Sequence, residues 1–341
     1  MATVMDSAFV VVLIGHGTMA AQGLAHLVGR SFEGKITIPL VVCNKHDSGM
    51  DSKFLMDDGT PFRRSLRKAA FELGFEEGQI LCGDPNSKVV RQHIAMVQPD
   101  LILSLQCREI FRANILSIPK RGTLNVHNAP LPLLRGCDPF TWAIHDGLKT
   151  FGVTLHCVDL GVDSGDIVEQ RTFPISDSDT AWSLFQKSLP HSIRLLSGSL
   201  LNYLRKDNHP IPQDHRFVTY HPMNQFNFQP LEIEWNTVAL TLSAWIRARI
   251  FPPYQLPFFW LPCKTEQSPD VKIEVFSCHA VQCSRTTSPG MARVTAESCE
   301  VDAVWGTIVI ATVRVEGNVL SGAEFAKTFS VVTGTCFGSR A

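Results

Sequence analysis

The sequence predicts an α/β chain: a Rossmann-like, mostly parallel sheet over residues 1–206 and a smaller C-terminal β-barrel, OB-like, over 231–341. Three observations carry this. Short apolar runs alternate with amphipathic stretches from Phe9 to Leu204. A segment rich in Pro, Asn, His and Gln then interrupts the pattern at 207–230, with Pro210, Pro212, Pro222 and Pro230, and reads as a linker. Beyond it the apolar runs are short and separated by turns.

Taken in order, Phe9–Ile14 is an unbroken apolar run, as expected of a strand buried on both faces, and Met19–Val28 follows as a helix. Ile38–Cys43 repeats the strand pattern, Arg63–Leu73 the helix, and Ile80–Cys82 a short strand. Ser87–Val97 is helical, and Leu101–Leu105 and Gly122–Val126 are strands. Pro139–Asp146 begins a helix, with Asp138 as its N-cap and Pro139 at the first helical position. Val153–Val158 and Ile167–Phe173 are further strands, and Thr180–Leu204 is a long helix. After the linker, Thr237–Arg249 reads as a helix, Val271–Phe276, Ala292–Ala296 and Thr307–Val315 as strands, and Ala323–Thr328 as a last short helix after Ser321 and Gly322.

Composition excludes several classes. Lys and Arg total 31 against 32 Asp and Glu, so the chain lacks the basic footprint of a nucleic-acid-binding domain. Its ten cysteines, Cys43, Cys82, Cys107, Cys137, Cys157, Cys263, Cys278, Cys283, Cys299 and Cys336, contain no Cys-x-x-Cys pair. They read as small buried residues in a reducing compartment, and no metal site is expected. Asp6 precedes the first apolar run, no basic stretch does, and Gly15 ends it, so no secretory signal is expected. No run approaches the ~18 apolar residues of a membrane span, and a cytoplasmic location with no membrane contact is expected.

Ligands of such sheets sit at the carboxyl ends of the strands. There the sequence is densest in chemistry: Asn125-Val126-His127, then Leu131-Pro132-Leu133-Leu134-Arg135-Gly136, then Gly152-Val153-Thr154-Leu155-His156 and Asp163-Ser164-Gly165-Asp166. Asn125 and His127 lie two apart on one strand, so alternation puts both side chains on the same side. An amide donor thus neighbours an imidazole, and a carboxylate would set the imidazole's charge. Asp163, in a glycine-bounded loop, is the candidate. Taken singly, each run is equally readable as a strand end or a turn.

Together and in this order the runs resemble the folate-dependent formyltransferases, which include methionyl-tRNA formyltransferase, glycinamide ribonucleotide formyltransferase and the sugar N-formyltransferases. The resemblance spans 9–205 as a catalytic domain and extends more weakly over 231–330. It implies 10-formyltetrahydrofolate as co-substrate and an amine as acceptor. It also implies roles. Asn125 would stabilise the oxyanion, His127 would take the amine's proton, and Asp163 would orient His127 and help protonate the departing folate nitrogen. Arg108, Glu109 and Ile110 match the segment lining the pteridine pocket. Leu131 and Leu133 would wall that pocket, and the backbone from Asp159 through Leu160, Gly161 and Val162 to Asp163 would read the pteridine edge. Ala129 and Pro130 depart from the Ser and Leu frequent in the family.

Other features weigh less. Gly15-His16-Gly17-Thr18-Met19-Ala20 fits a dinucleotide fingerprint, but Asn44, not an acid, ends the second strand. A packing turn, or a helix N-terminus for an anionic acceptor group, reads better. Arg63-Arg64-Ser65-Leu66-Arg67-Lys68 reads as a solvated helix face, with phosphate contact as the alternative. His26, His93, His191 and His209 lack metal-type spacing. Phe251-Pro252-Pro253-Tyr254 reads as an inter-domain packing seam and looks more like the sugar enzymes than the tRNA enzyme.

The expected acceptor is a small-molecule amine, foremost the amino group of a nucleotide-linked sugar. Asp47, Asp51, Asp57 and Asp58 in the 45–62 loop would repel an RNA backbone. Methionyl-tRNA is the alternative, and a formyltetrahydrofolate hydrolase or a non-catalytic binding module are readings of another class. A homodimer stays open.

Overall fold

The computed structural model describes residues 8–29, 32–262, 270–283 and 288–338, so Cys263 lies outside it. The elements run β1 (Phe9–Gly15), α1 (Gly17–Leu27), β2 (Ile36–Cys43), α2 (Leu66–Glu72), β3 (Ile80–Cys82), α3 (Lys88–Met96), β4 (Leu101–Leu105), α4 (Ala113–Leu116), β5 (Thr123–His127) and β6 (Arg135–Gly136). Then come α5 (Pro139–His145), β7 (Thr150–Cys157), β8 (Ile167–Pro174), α6 (Ala181–Arg205) and β9 (Tyr220–His221). The remainder is α7 (Ala239–Arg249), β10 (Phe258–Leu261), β11 (Val271–Gln282), β12 (Ala292–Val294), β13 (Cys299–Ala303), β14 (Gly306–Val315), β15 (Asn318–Ser321) and α8 (Gly322–Thr328). The expected strands and helices up to Leu204 all form, with ends shifted by a few residues at most. The described residues fall into two compact units, one within Met1–Cys137, Phe151–Phe173 and Gln186–His221, the other within Asp138–Thr150, Pro174–Phe185 and Pro222–Ala341.

The first unit carries a seven-stranded sheet of order β3-β2-β1-β4-β5-β7-β8. Pairs β1–β2, β2–β3, β1–β4 and β4–β5 are parallel, and β5–β7 is antiparallel. Val11, Val12 and Leu13, and Leu101, Ile102 and Leu103, are fully buried, which is why these strands read as unbroken apolar runs rather than alternating ones. On one face Val12, Ile14, Leu40, Val42 and Ile102 pack with Val90 and Ile94 of α3 and Ile115 of α4. Each such side chain contributes about 1.5–3 kcal/mol of burial. Strand order reverses between β1 and β4, so their carboxyl ends open a crevice there.

The 207–230 segment is built into this unit as far as His221. Ile211 pairs with Ile167, residues 215–217 form a 3-10 turn, and β9 pairs in parallel with β6. One local expectation needs correction. Asp138 stands at the N-cap of α5, but its backbone is left-handed (φ 55°) and its side chain makes no cap. The start is set instead by Pro139, whose fixed φ suits a first helical turn.

The second unit holds a six-stranded antiparallel sheet, β10-β11-β14-β13-β12 with β15 on β14, curled as a half-barrel. Register shifts around Ser277 let β11 bend. α8 starts on a capping box, Ser321 with Glu324. Phe251 of the Phe-Pro-Pro-Tyr run packs edge-on to Trp182 and stacks on Tyr254 within this unit. Among the described residues, no helix is long and apolar enough to cross a membrane.

Candidate active site

Register lines up a polar row across three strands. Ser104 of β4 is opposite Asn125 of β5, and Asn125 is opposite His156 of β7. Directly opposed residues present side chains on the same face. The Ser104 hydroxyl donates to Asn125 Oδ1 at 2.8 Å, which assigns the amide and aims Nδ2 the other way. Nδ2 lies 3.1 Å from His156 Nε2. His156 Nδ1 sits 2.8 Å from the Cys157 carbonyl, so Nδ1 carries the proton and Nε2 accepts from the amide. Ser104→Ala frees the amide to flip. Loss of one buried hydrogen bond costs about 1 kcal/mol, so turnover should fall about fivefold and stability by about 1 kcal/mol, measured by steady-state kinetics and thermal melting.

His127 is buried two residues on. Its Nε2 donates to the Leu134 carbonyl at 2.9 Å, which leaves Nδ1 unprotonated and facing Asp163 Oδ2 at 3.6 Å. Asp163 Oδ1 is 3.6 Å from His156 Nε2, and Oδ2 accepts the Gly136 N–H at 2.9 Å. Burial alone would raise the Asp163 carboxyl, but the charge that the His127 and His156 rings carry when protonated, and the Gly136 N–H, outweigh it and hold the group well below the usual carboxylate range. Asn125, His127 and Asp163 therefore converge, with His156 between the amide and the carboxylate. Ring orientation of His127 comes from Leu134, while Asp163 supplies charge at ion-pair distance.

The loop before Asp163 is tightly made. Asp159 Oδ1 accepts the Gly161 N–H at 3.0 Å and the Ser164 hydroxyl at 2.6 Å. A Cβ on Gly165 would fall 2.0 Å from the Cys157 carbonyl oxygen. Gly165→Ala forces backbone apart and should cost about 1–3 kcal/mol, read as a lowered thermal midpoint.

The residues expected at a pteridine pocket are spread in exposure. Arg108 and Ile110 are exposed, Glu109 accepts from Asn44 Nδ2 at 3.2 Å, and Leu160 is exposed. Leu131 is buried, its N–H donating to Thr154 Oγ1 and its carbonyl accepting Gln170 Nε2, and Leu133 is half-buried. Asp159, Gly161 and Val162 lie in the loop leading to Asp163. Sequence reasoning assigned nothing to Ser104, His156 or Gln213. For His156 the signal was present, since Thr154 and His156 alternate on a strand as Asn125 and His127 do.

The dinucleotide-like turn is explained by packing: a Cβ on Gly15 would lie 2.6 Å from both the Leu105 carbonyl oxygen and Ala20 Cβ. His16, beside it, has its pKa pushed down to about 4 by burial, then by Arg108 and Arg63, with Asp47 offsetting in part. Asp47 is consumed within its loop, accepting from the Ser65 hydroxyl and the Gly49 and Arg67 N–H groups. Asp51 accepts the Ser65 N–H and pairs with Lys68 at 2.7 Å. Of the four carboxylates expected to repel RNA, Asp51 is thus paired with a cation, while Asp47 is held by neutral donors and keeps its charge. Of the basic cluster, Arg67 and Lys68 lie on α2, with Arg67 on Glu77, while Arg64 precedes the helix and pairs with Glu72. Among the described residues, no three His, Cys, Asp or Glu are placed to hold a metal ion.

Comparison with known proteins places this geometry. A formyl transferase family model matches residues 8–197. The chain is 34% identical over 164 residues to the bifunctional polymyxin resistance protein ArnA of Wigglesworthia glossinidia brevipalpis, covering 47% of this chain and 24% of that protein. It is 34% identical over 155 residues to methionyl-tRNA formyltransferase of Trichodesmium erythraeum, covering 46% and 45%. With the Citrifermentans bemidjiense methionyl-tRNA formyltransferase it is 28% identical over 251 residues, 73% and 75% of the two chains. The first two matches thus span less than half the length of those relatives. Among solved structures, the sugar 3N-formyl transferase WlaRD, with dTDP and 5-N-formyl-THF, superimposes with TM-score 0.67 at 19% identity over 91% of this chain and 98% of that one. The Helicobacter canadensis N-formyltransferase, with folinic acid and dTDP-3-aminofucose, gives 0.64 at 20% identity over 88% and 98%. At such identities the structural likeness is one of fold, and the family rests on the sequence match over more than half of the chain: this protein belongs to the formyl transferase family.

Proposed function

We propose that this enzyme transfers a formyl group from 10-formyltetrahydrofolate to a primary amine, at Asn125, His127 and Asp163. The observation that carries it is the meeting of an amide N–H, an imidazole with one free nitrogen and a strongly acidic carboxylate at one sheet edge. The amine nitrogen attacks the formyl carbon, and the carbonyl oxygen gains the negative charge. Asn125 Nδ2 has a second N–H for that oxyanion. The amine's proton passes to His127 Nδ1, where it lands opposite the Asp163 carboxylate. Collapse restores the carbonyl, breaks the bond to folate N10, and N10 takes the proton. Arg108, Glu109, Ile110, Leu131, Leu133 and the Asp159–Val162 backbone would hold the pteridine. In this reading residues 1–206 are the catalytic domain, 207–230 lead out of it with 207–221 packed within the first unit, 231–341 are a second domain, and the site of action is cytoplasmic.

For the acceptor we favour a nucleotide-linked amino sugar, supported by the likeness to two sugar enzymes along nearly their whole length. Methionyl-tRNA is the second reading, favoured by the Citrifermentans relative and by the pairing of Asp51 with Lys68. The test supplies 10-formyltetrahydrofolate with amino sugar nucleotides, methionyl-tRNA or free amino acids and detects by mass which one is formylated. Amino sugar nucleotides are expected to be the substrates. Formate released equally with and without acceptor would make the protein a hydrolase, and an unchanged folate would refute the proposal.

A further inference from the structure

The segment from Ile211 to His221 reads as a linker, yet it reaches the supports of both His127 and Asp163. Gln213 is 5% exposed. Its Nε2 donates to the carbonyl oxygens of Asp163 at 2.8 Å and Gly165 at 2.7 Å. Its Oε1 accepts Arg135 Nε at 3.1 Å and Nη2 at 2.7 Å. One buried amide thus ties the acidic loop to the residue preceding Gly136, whose N–H holds the Asp163 carboxylate. Six residues on, Thr219 Oγ1 accepts the Leu134 N–H at 2.7 Å, and the Thr219 carbonyl accepts the Arg135 N–H at 3.0 Å. Leu134 is the residue whose carbonyl orients His127.

The backbone shows why such ties are needed. Leu134 (φ 59°) and Asp163 (φ 50°) both sit in the left-handed region without being glycine. Residues held there persist only where their surroundings over-determine them. For both, those surroundings include the same strap. From this we infer that Gln213 and Thr219 are positioning residues for formyl transfer, Gln213 fixing the Asp163 loop and Thr219 fixing the carbonyl that sets the His127 ring. The inference rests on the roles proposed for His127 and Asp163.

The test separates positioning from plain stabilisation. Gln213→Glu keeps an acceptor for Arg135 and adds an ion pair, but replaces both N–H donors with an oxygen facing two carbonyls. The strap stays attached while the Asp163 loop is pushed out of place. A displacement of about 1 Å costs up to ~10²-fold in rate, so kcat should fall about 10- to 100-fold. KM for 10-formyltetrahydrofolate should rise less than kcat falls, since Gln213 holds the carbonyls of Asp163 and Gly165, which lie past the Asp159–Val162 backbone proposed to hold the pteridine. The thermal midpoint should stay within about 2–4 °C of wild type. Thr219→Val, nearly isosteric, should lower kcat about fivefold, as for one lost hydrogen bond. Should Gln213→Leu fail to fold, these two variants still decide. Wild-type kcat in Gln213→Glu, or a kcat loss matched by the unfolded fraction, overturns the inference. His127→Ala, assayed alongside, separates the two levels: if it abolishes turnover and Gln213→Glu does not lower kcat, only the strap's role is lost. If His127→Ala is also fully active, the proposed function fails with it.

Discussion

Asp163→Asn is expected to lower kcat by about 10²-fold or more without unfolding the protein. Asparagine keeps the shape and can still accept the Gly136 N–H, which bonds Oδ2 at 2.9 Å. It loses the charge that faces His127 Nδ1 and His156 Nε2 at 3.6 Å each. Its amide, moreover, can donate to the lone pair of His127 Nδ1 and block the nitrogen that must take the proton. The same substitution has a stability signature. The Asp163 carboxyl is held below its ordinary range in the fold, so its ionised form contributes stability above the unfolded value of about 3.9, and that contribution disappears as pH falls from there toward the folded value. Denaturant unfolding of wild type and variant should therefore differ more at pH 7 than below about pH 4. Equal differences at both would contradict the charge network.

Asn125→Ala should be the costliest single change at the oxyanion, with kcat down by about 10²–10³-fold. Its amide sits mid-row between Ser104 and His156, so alanine removes the donor and leaves both neighbours without their partner. KM for the folate should move little, because the lost interaction is made with charge that develops only during reaction. Comparison with Ser104→Ala gives a graded series, since that variant keeps the donor and loses only its aim. A larger loss in Ser104→Ala than in Asn125→Ala would mean that the amide is structural.

Much of this was legible from residues alone. Apolar runs such as Phe9–Ile14, and Leu101–Leu105 interrupted only by Ser104, mark strands covered on both faces, and both fold as such. The pairing of Asn125 with His127 follows from strand alternation. What sequence hides is register. Nothing local says that His156 stands opposite Asn125, yet that one fact inserts it between amide and carboxylate. Three strands of the second unit were also missed, β10, β13 and β15. β13 carries Glu300 and Asp302, and Asp302 breaks the apolar pattern while buried against Arg293, which donates to it at 3.1 Å. β15 is only four residues long and half-exposed. Gln213 was hidden for another reason. Prolines on either side of it mark a chain that makes no regular element, but not whether it is packed, and here long-range hydrogen bonds to Asp163 and Arg135 decide. The sequence also hides that the Asp47 and Asp51 carboxylates bind the backbone and side chains at the start of α2.

A crystal structure with 5-formyltetrahydrofolate bound is the decisive measurement. It should place folate N10 within about 4 Å of Asn125 Nδ2 and of His127 Nδ1, the reach of near-attack geometry and proton transfer. A pteridine seated in another cavity, or an N10 that neither side chain can touch, would contradict the account at its centre.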